Sequence, residues 1–253
     1  MFEGKVVVVT GGASGIGRQT ALRFAQEGAK LVIVTKSSEE AAKATVAEID
    51  ALGSRARYVI CDVAREADVE RMVKAAVDTF GSLDIAFNNA GVGPDGVTIP
   101  IVPLTEVTEH NWDWIADTNL KGVFLCLKHE LRQMRAQRSG CIVTTASTAG
   151  LKPMANFGAY GPAKAGMIML TKMAALENRD LGIRANVICP GPTRGTGMAD
   201  RMFGNKQTLE GDPAGLRTGT TDEVASVVLW LCSEEAGYIN GNVITIDGGR
   251  DIL

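Results

Sequence analysis

Seven short apolar runs recur along the chain: KVVVVT at 5–10, KLVIVT at 30–35, ARYVICD at 56–62, LDIAFNN at 83–89, GCIVTTAS at 140–147, IRANVICP at 183–190 and NVITIDGG at 242–249. They are rich in β-branched residues and have few polar positions inside them, the pattern of strands buried on both faces. Between them, apolar residues repeat at helical spacing over about 15–28, 38–52, 66–80, 108–137, 157–180 and 221–232. Strands that alternate with helices predict an α/β fold, a doubly wound parallel sheet with helices on both faces and right-handed crossovers. No Pro/Ser-rich linker or shift of composition divides the chain, so residues 1–253 read as a single domain.

One stretch breaks the rhythm. Residues 189–220 carry many glycines and prolines, with Met198, Met202 and Phe203 among them. Long irregular insertions in compact domains are usually functional, and this one follows the carboxyl end of a strand, where open α/β sheets bind ligands. It reads as a substrate lid over about 192–216.

The first strand leads into TGGASGIG at 10–17 and then a helix. Gly11 permits a sharp turn, Gly15 leaves room for a pyrophosphate against backbone N–H groups, and Gly17 allows close packing of helix on strand. Glycines at the first strand–helix junction of a parallel sheet predict a Rossmann-type dinucleotide site. Further on, YGPAK at 160–164 sets Tyr160 and Lys164 four residues apart, on one face if the segment is helical. A free phenol, with a pKa of about 10, is a poor proton acceptor near neutrality, and a neighbouring ammonium favours the phenolate.

The ordered set of motifs resembles the short-chain dehydrogenase/reductase family. It comprises Thr10-Gly11-x-x-x-Gly15-Ile16-Gly17, Asp62 after the third strand, NNAG at 88–91, Asn119 in DTNLKG, Ser147 after the fifth strand, YGPAK, PG at 190–191 and the terminal NVITIDGG. The resemblance covers essentially the whole chain. It implies a catalytic tetrad of Asn119, Ser147, Tyr160 and Lys164. In that scheme Tyr160 transfers the proton, Lys164 lowers its pKa and holds the nicotinamide ribose, Ser147 orients the substrate oxygen, and Asn119 holds a water that links Lys164 to solvent. The cofactor would lie against Gly11, Ser14, Gly15, Ile16, Gly17, Asp62, Val63, Asn89, Ala90, Gly91, Tyr160, Lys164, Pro190, Gly191 and Thr193. Where the family commonly carries a threonine four residues after PG, this chain has Gly195 followed by Thr196, so either the loop is displaced by one residue or Thr193 and Thr196 share that role. The family often has Ser or Thr two residues after Asp62; Ala64 stands there, which makes a capping role for Asp62 more credible.

Cofactor choice is read at the end of the second strand. An acidic residue there binds both ribose hydroxyls of NAD, whereas a cation accommodates the 2′-phosphate of NADP. Here Thr35 takes the acidic position and Lys36 follows, with Ser37 and Ser38 as further donors, which favours NADP(H) over NAD(H). Ser14 stands where NADP-using relatives often carry a basic residue.

Composition narrows the partners. Lys+Arg 26 against Asp+Glu 29 gives a net charge of −3, which offers no electrostatic footprint for nucleic acid or an anionic membrane. The five cysteines, without a CxxC pair, suggest neither a disulfide framework nor a zinc site, and no metal is called for. His110 and His129, on what reads as a polar helical stretch, are weak candidates for metal or acid/base work. Neither a signal peptide nor a spanning segment is legible, and the expected location is cytoplasmic.

The function expected from these residues is NAD(P)-dependent hydride transfer between a nicotinamide and a carbonyl or secondary alcohol carbon, with NADPH-dependent reduction of a ketone favoured. The alternatives are an NAD-dependent secondary alcohol dehydrogenase and a non-catalytic dinucleotide-binding sensor on the same fold. Ala149, Leu151, Met154, Phe157, Met198, Met202 and Phe203 suggest a hydrophobic or alicyclic substrate. Apolar residues beyond one stripe of the two long helices, such as Met167, Met169, Leu170 and Met173, fit the homotetramer that the resemblance implies.

Overall fold

The computed structural model describes residues 1–204 and 217–252. Seven parallel strands form one sheet: β1 (Val6–Thr10), β2 (Lys30–Thr35), β3 (Ala56–Ile60), β4 (Ile85–Asn88), β5 (Gly140–Thr145), β6 (Ile183–Pro190) and β9 (Val243–Ile246). Their order is β3-β2-β1-β4-β5-β6-β9. The small β7 (Thr193–Arg194) and β8 (Gly219–Thr220) pair with each other outside it.

The sheet is central because its strands are apolar on both faces. Val7 and Val9 of β1 pack with Leu31, Phe87 and Val143 against α1 (Gly15–Gln26), α2 (Glu39–Ala51) and α8 (Thr221–Cys232), where Phe24, Ile49 and Val228 are fully buried. Val6 and Val8 point the other way, into Met72 of α3 (Glu66–Phe80), Met134 of α5 (Gly122–Gln137) and Met167 of α6 (Tyr160–Asn178). A period of two in the strands thus divides one apolar run between two cores.

Helix starts are fixed by local chemistry. The Ser38 hydroxyl accepts from the Ala41 N–H at 3.1 Å and caps α2, and Thr220 with Glu223 forms a capping box on α8. α6 begins at Tyr160, so Pro162 lies in its first turn, where its missing N–H has no intrahelical partner.

The span 108–137, which reads as one helix, is in fact interrupted. α4 (Glu109–Ile115) runs into a π-helical segment at Ala116–Lys121 before α5 begins. The cause is Asn119, whose buried amide accepts from the Val92 N–H at 2.9 Å and donates to the Val92 carbonyl at 2.7 Å. A side chain that serves a neighbouring strand-end loop draws the helix wider at that turn. His129 departs from its expected polar face: it is buried, with Nε2 3.1 Å from Glu66 Oε1. All five cysteines are free and buried. Among the described residues, no helix is long and apolar enough to cross a membrane.

Candidate active site

The winding of the sheet reverses between β1 and β4, and the carboxyl ends of these two strands open a cleft. Thr10 ties the two ends together: its hydroxyl accepts the N–H groups of Asn89 at 2.9 Å and Ala90 at 3.0 Å. That fixes the NNAG turn directly beside the glycine-rich turn. A side chain at Gly17 would collide with the Gly11 carbonyl oxygen, so α1 sits on the turn more closely than any other residue allows.

The cleft is a cavity of about 290 Å³. Of the residues expected to touch the cofactor, Gly11, Ser14, Gly15, Ile16, Asn89, Ala90, Gly91, Pro190, Gly191 and Thr193 line it, together with Ser147, Tyr160 and Lys164. Gly17 lies beneath, in the packing role its position predicts. A dinucleotide fits this cradle: glycine backbone at a helix start offers N–H donors to phosphates, and the neighbouring strand ends leave room for the sugars.

The three residues expected to be catalytic come from two places in the chain, the turn after β5 and the first turns of α6. Ser147 follows β5 and caps a short 3₁₀ turn, its hydroxyl accepting from the Ala149 N–H at 3.2 Å. Tyr160 opens α6 and is 9% exposed. Lys164, one turn on and 3% exposed, donates from Nζ to the Thr145 carbonyl at 2.8 Å, with that nitrogen 5.5 Å from the centre of the Tyr160 ring. The electrostatics differ from expectation. Burial pushes the Tyr160 phenol up to about 12, with a contact from Ser147 opposing, and burial brings the Lys164 ammonium down to about 8. In the protein by itself, therefore, desolvation outweighs any favour that Lys164 gives the phenolate.

Several expected residues lie off the main cavity. Asn119 stands behind Gly91, its amide engaged by Val92. Lys36, Asp62 and Val63 sit at the ends of β2 and β3, where Lys36 Nζ forms an ion pair with Asp62 Oδ2 at 2.8 Å. Asp62 Oδ1 accepts from the Ala64 N–H at 3.1 Å, so it closes the turn before α3, whose N-cap is Arg65. Ser38, offered as a donor to a phosphate, caps α2 by accepting the Ala41 N–H with its hydroxyl oxygen, which leaves its O–H able to donate.

Gly195, at φ +76°, turns the chain so that Thr196 joins Thr193 on the cavity wall. The Thr196 hydroxyl donates to the Thr193 carbonyl at 2.8 Å and caps α7 (Gly197–Phe203). α7 is the described part of the expected lid, whose remainder at 205–216 lies outside the described residues. Met154, Phe157, Met198, Met202 and Phe203 line the cavity, whereas Ala149 packs in the cluster around Tyr160 and Leu151 lies on a neighbouring groove. Thr145, which anchors Lys164 through its carbonyl, had no signal in the sequence, because a backbone acceptor can belong to any residue.

The family model described as Enoyl-(Acyl carrier protein) reductase, a model of short-chain dehydrogenases/reductases, matches residues 11–251. The chain belongs to the short-chain dehydrogenase/reductase family. It is 40% identical over 261 residues to levodione reductase of Leifsonia aquatica, covering 98% of this chain and 95% of that one. A crystal structure of levodione reductase superposes with a TM-score of 0.91 at 36% identity, over all of both chains. Cyclohexanol dehydrogenase of an Acinetobacter species is 39% identical over 247 residues, covering 98% and 95% of the two chains. The crystal structure of NAD+-bound xylitol dehydrogenase gives a TM-score of 0.88 at 34% identity, over 98% and 99%. The chain is thus a short-chain oxidoreductase acting on CH–OH/C=O groups, in a family that uses NAD(P), and the sensor reading falls away.

Proposed function

We propose that this enzyme is a cytoplasmic, homotetrameric NADPH-dependent reductase of a hydrophobic ketone. The observation that carries this reading is the placement of Ser147, Tyr160 and Lys164 at the floor of a cleft walled by Met154, Phe157, Met198, Met202 and Phe203. A nicotinamide dinucleotide bound in the cradle supplies the hydride. Ser147 then holds the carbonyl oxygen from one side, and the Tyr160 phenol donates its proton to that oxygen. Burial keeps the phenol in its protonated form, the form from which it can donate. Lys164, tied to the Thr145 carbonyl, stands ready to restore the proton, and Asn119 keeps the Gly91–Val92 segment in place beside it.

Lys36 supports NADPH as the cofactor. Its side chain is more than half exposed, and a 2′-phosphate could draw it from its pair with Asp62. That same pair favours a second reading, an NAD-dependent secondary alcohol dehydrogenase, since Asp62 already occupies the cation. Equilibrium titration with NADPH and NADH, followed by nicotinamide fluorescence, separates the two. NADPH should bind at least tenfold more tightly, and Lys36→Ala should remove most of that margin without weakening NADH. A preference for NADH that Lys36→Ala leaves unchanged overturns the choice of cofactor, and binding of neither overturns the proposed reaction.

A further inference from the structure

The loop that leaves the NNAG turn carries a buried acid that the chemistry above does not use. Asp95 is almost fully buried, and its Oδ1 accepts three successive backbone N–H groups: Val97 at 3.0 Å, Thr98 at 2.6 Å and Ile99 at 3.0 Å. The backbone N–H groups of Asp95 and Gly96 both return to the Ile99 carbonyl, which makes the loop a closed and rigid unit. One carboxylate oxygen thus organises the loop, and Oδ2 is left to reach outward. It accepts from Arg201 Nε at 2.6 Å, across 106 positions of sequence. Burial by itself would raise this carboxyl, but the three amides and Arg201 together hold it well below the usual carboxylate range.

Arg201 lies on α7, the helix that brings Met198 and Met202 to the cavity. The ion pair therefore ties the helix that carries two cavity-lining methionines to the loop that leaves the NNAG turn. Ile99 packs in the same cluster as Tyr160 and Ala163, and Met198 packs against that cluster. At Gly93, two residues before Asp95, an added Cβ would come within 2.6 Å of the Tyr160 ring and 2.8 Å of Met198 Cε. The loop, the Tyr160 ring and the start of α7 thus meet at one point, and the charged pair is a polar link from the helix to the loop.

α7 is seven residues long and buries none of them fully, and among the described residues its other side-chain hydrogen bonds are the Thr196 cap and Asp200 Oδ1 accepting from the Gly195 N–H, both within its own segment. A helix this short is marginal without tertiary contacts. We infer that Asp95 and Arg201 are positioning residues whose ion pair sets α7 against the catalytic cluster, and so determine how tightly the pocket closes on an apolar substrate without taking part in proton transfer.

The test is hydrogen exchange by mass spectrometry on the full chain, saturated with the cofactor it binds, for wild type, Arg201→Lys, Arg201→Gln and Asp95→Asn. Asp95→Asn keeps an oxygen for the three loop amides and removes the charge, so it stands in if Arg201→Gln fails to fold. Amides of 199–204 should exchange at least tenfold faster in Arg201→Gln and in Asp95→Asn, with Arg201→Lys within threefold of wild type and the sheet amides unchanged. Steady-state reduction of cyclohexanone supplies the second readout: KM should rise five- to twentyfold in Arg201→Gln, with kcat within twofold and cofactor affinity the same. Equal exchange at 199–204 in all four proteins overturns the inference, as does faster exchange confined to 95–99, which would make the pair a brace for that loop alone. The exchange readout needs no substrate, so its result stands even if ketone reduction proves to be the wrong reaction.

Discussion

Glu130 is the residue whose chemistry the sequence hid most completely. It lies on α5 with no exposed surface, its Oε2 accepting from Asn88 Nδ2 at 2.7 Å. Among the described residues, Glu130 Oε1 and Asn88 Oδ1 have no partner, so a charged carboxylate here is poorly compensated. Burial raises this carboxyl to about 7, with the Asn88 bond opposing. The folded protein therefore binds a proton that the unfolded chain, with an ordinary glutamate pKa near 4.5, gives up. That contribution is fully present below about pH 4.5 and is lost as pH rises through 7, a swing on the order of 3 kcal/mol. Glu130→Gln, neutral and of the same shape, should lose this swing: denaturant unfolding at pH 5 and pH 8 should show the stability difference between wild type and variant moving against wild type at the higher pH. A difference that stays constant would place the titration elsewhere. Tyr160 and Lys164, by contrast, were legible because they are four residues apart on one helix, whereas Arg201 to Asp95 and Lys164 to the Thr145 carbonyl join distant segments and leave no local pattern.

At the scale of elements, the strands and most helices follow directly from periodicity, since runs apolar on both faces admit few arrangements other than a covered parallel sheet. The break in 108–137 was not legible, because the partner of Asn119 at that turn, Val92, lies in another segment. The place of Thr196 was open in the sequence, between a displaced loop and a role shared with Thr193, and the turn at Gly195 puts both threonines on the cavity wall. Asn119→Ala tests the cause of the break. It leaves the Val92 N–H and carbonyl without their partners, so stability should fall by about 1–3 kcal/mol in denaturant unfolding. Because Gly91, next to Val92, lines the cleft, kcat should drop at least tenfold as well. An unchanged kcat would mean that the bulge serves packing alone.

For the whole molecule, the outer faces of α5 and α6 leave Phe124, Met169, Met173 and Leu176 between 47% and 64% exposed, while Met167, one of the residues expected there, is fully buried. A contiguous apolar face of that kind, with a shallow groove at Leu120, Phe124, Gly166, Met169 and Leu170, fits the proposed self-association. Met169→Glu combined with Leu176→Glu should convert tetramers to smaller species in sedimentation velocity at micromolar protein, and an unchanged sedimentation coefficient would move the interface elsewhere. The strand order has a further consequence, for how the chain reaches its native state. Every pairing in the main sheet is parallel, so no neighbouring strands can nucleate as a hairpin. The first strand finds its second partner only after three helical connections, α1, α2 and α3, have been made, and the last strand docks on β6 when nearly all the rest is in place. Assembly from such distant contacts is slow. A nascent chain would hold β1, apolar on both faces, half covered until β4 emerges, and the cleft between them would be among the later features to form.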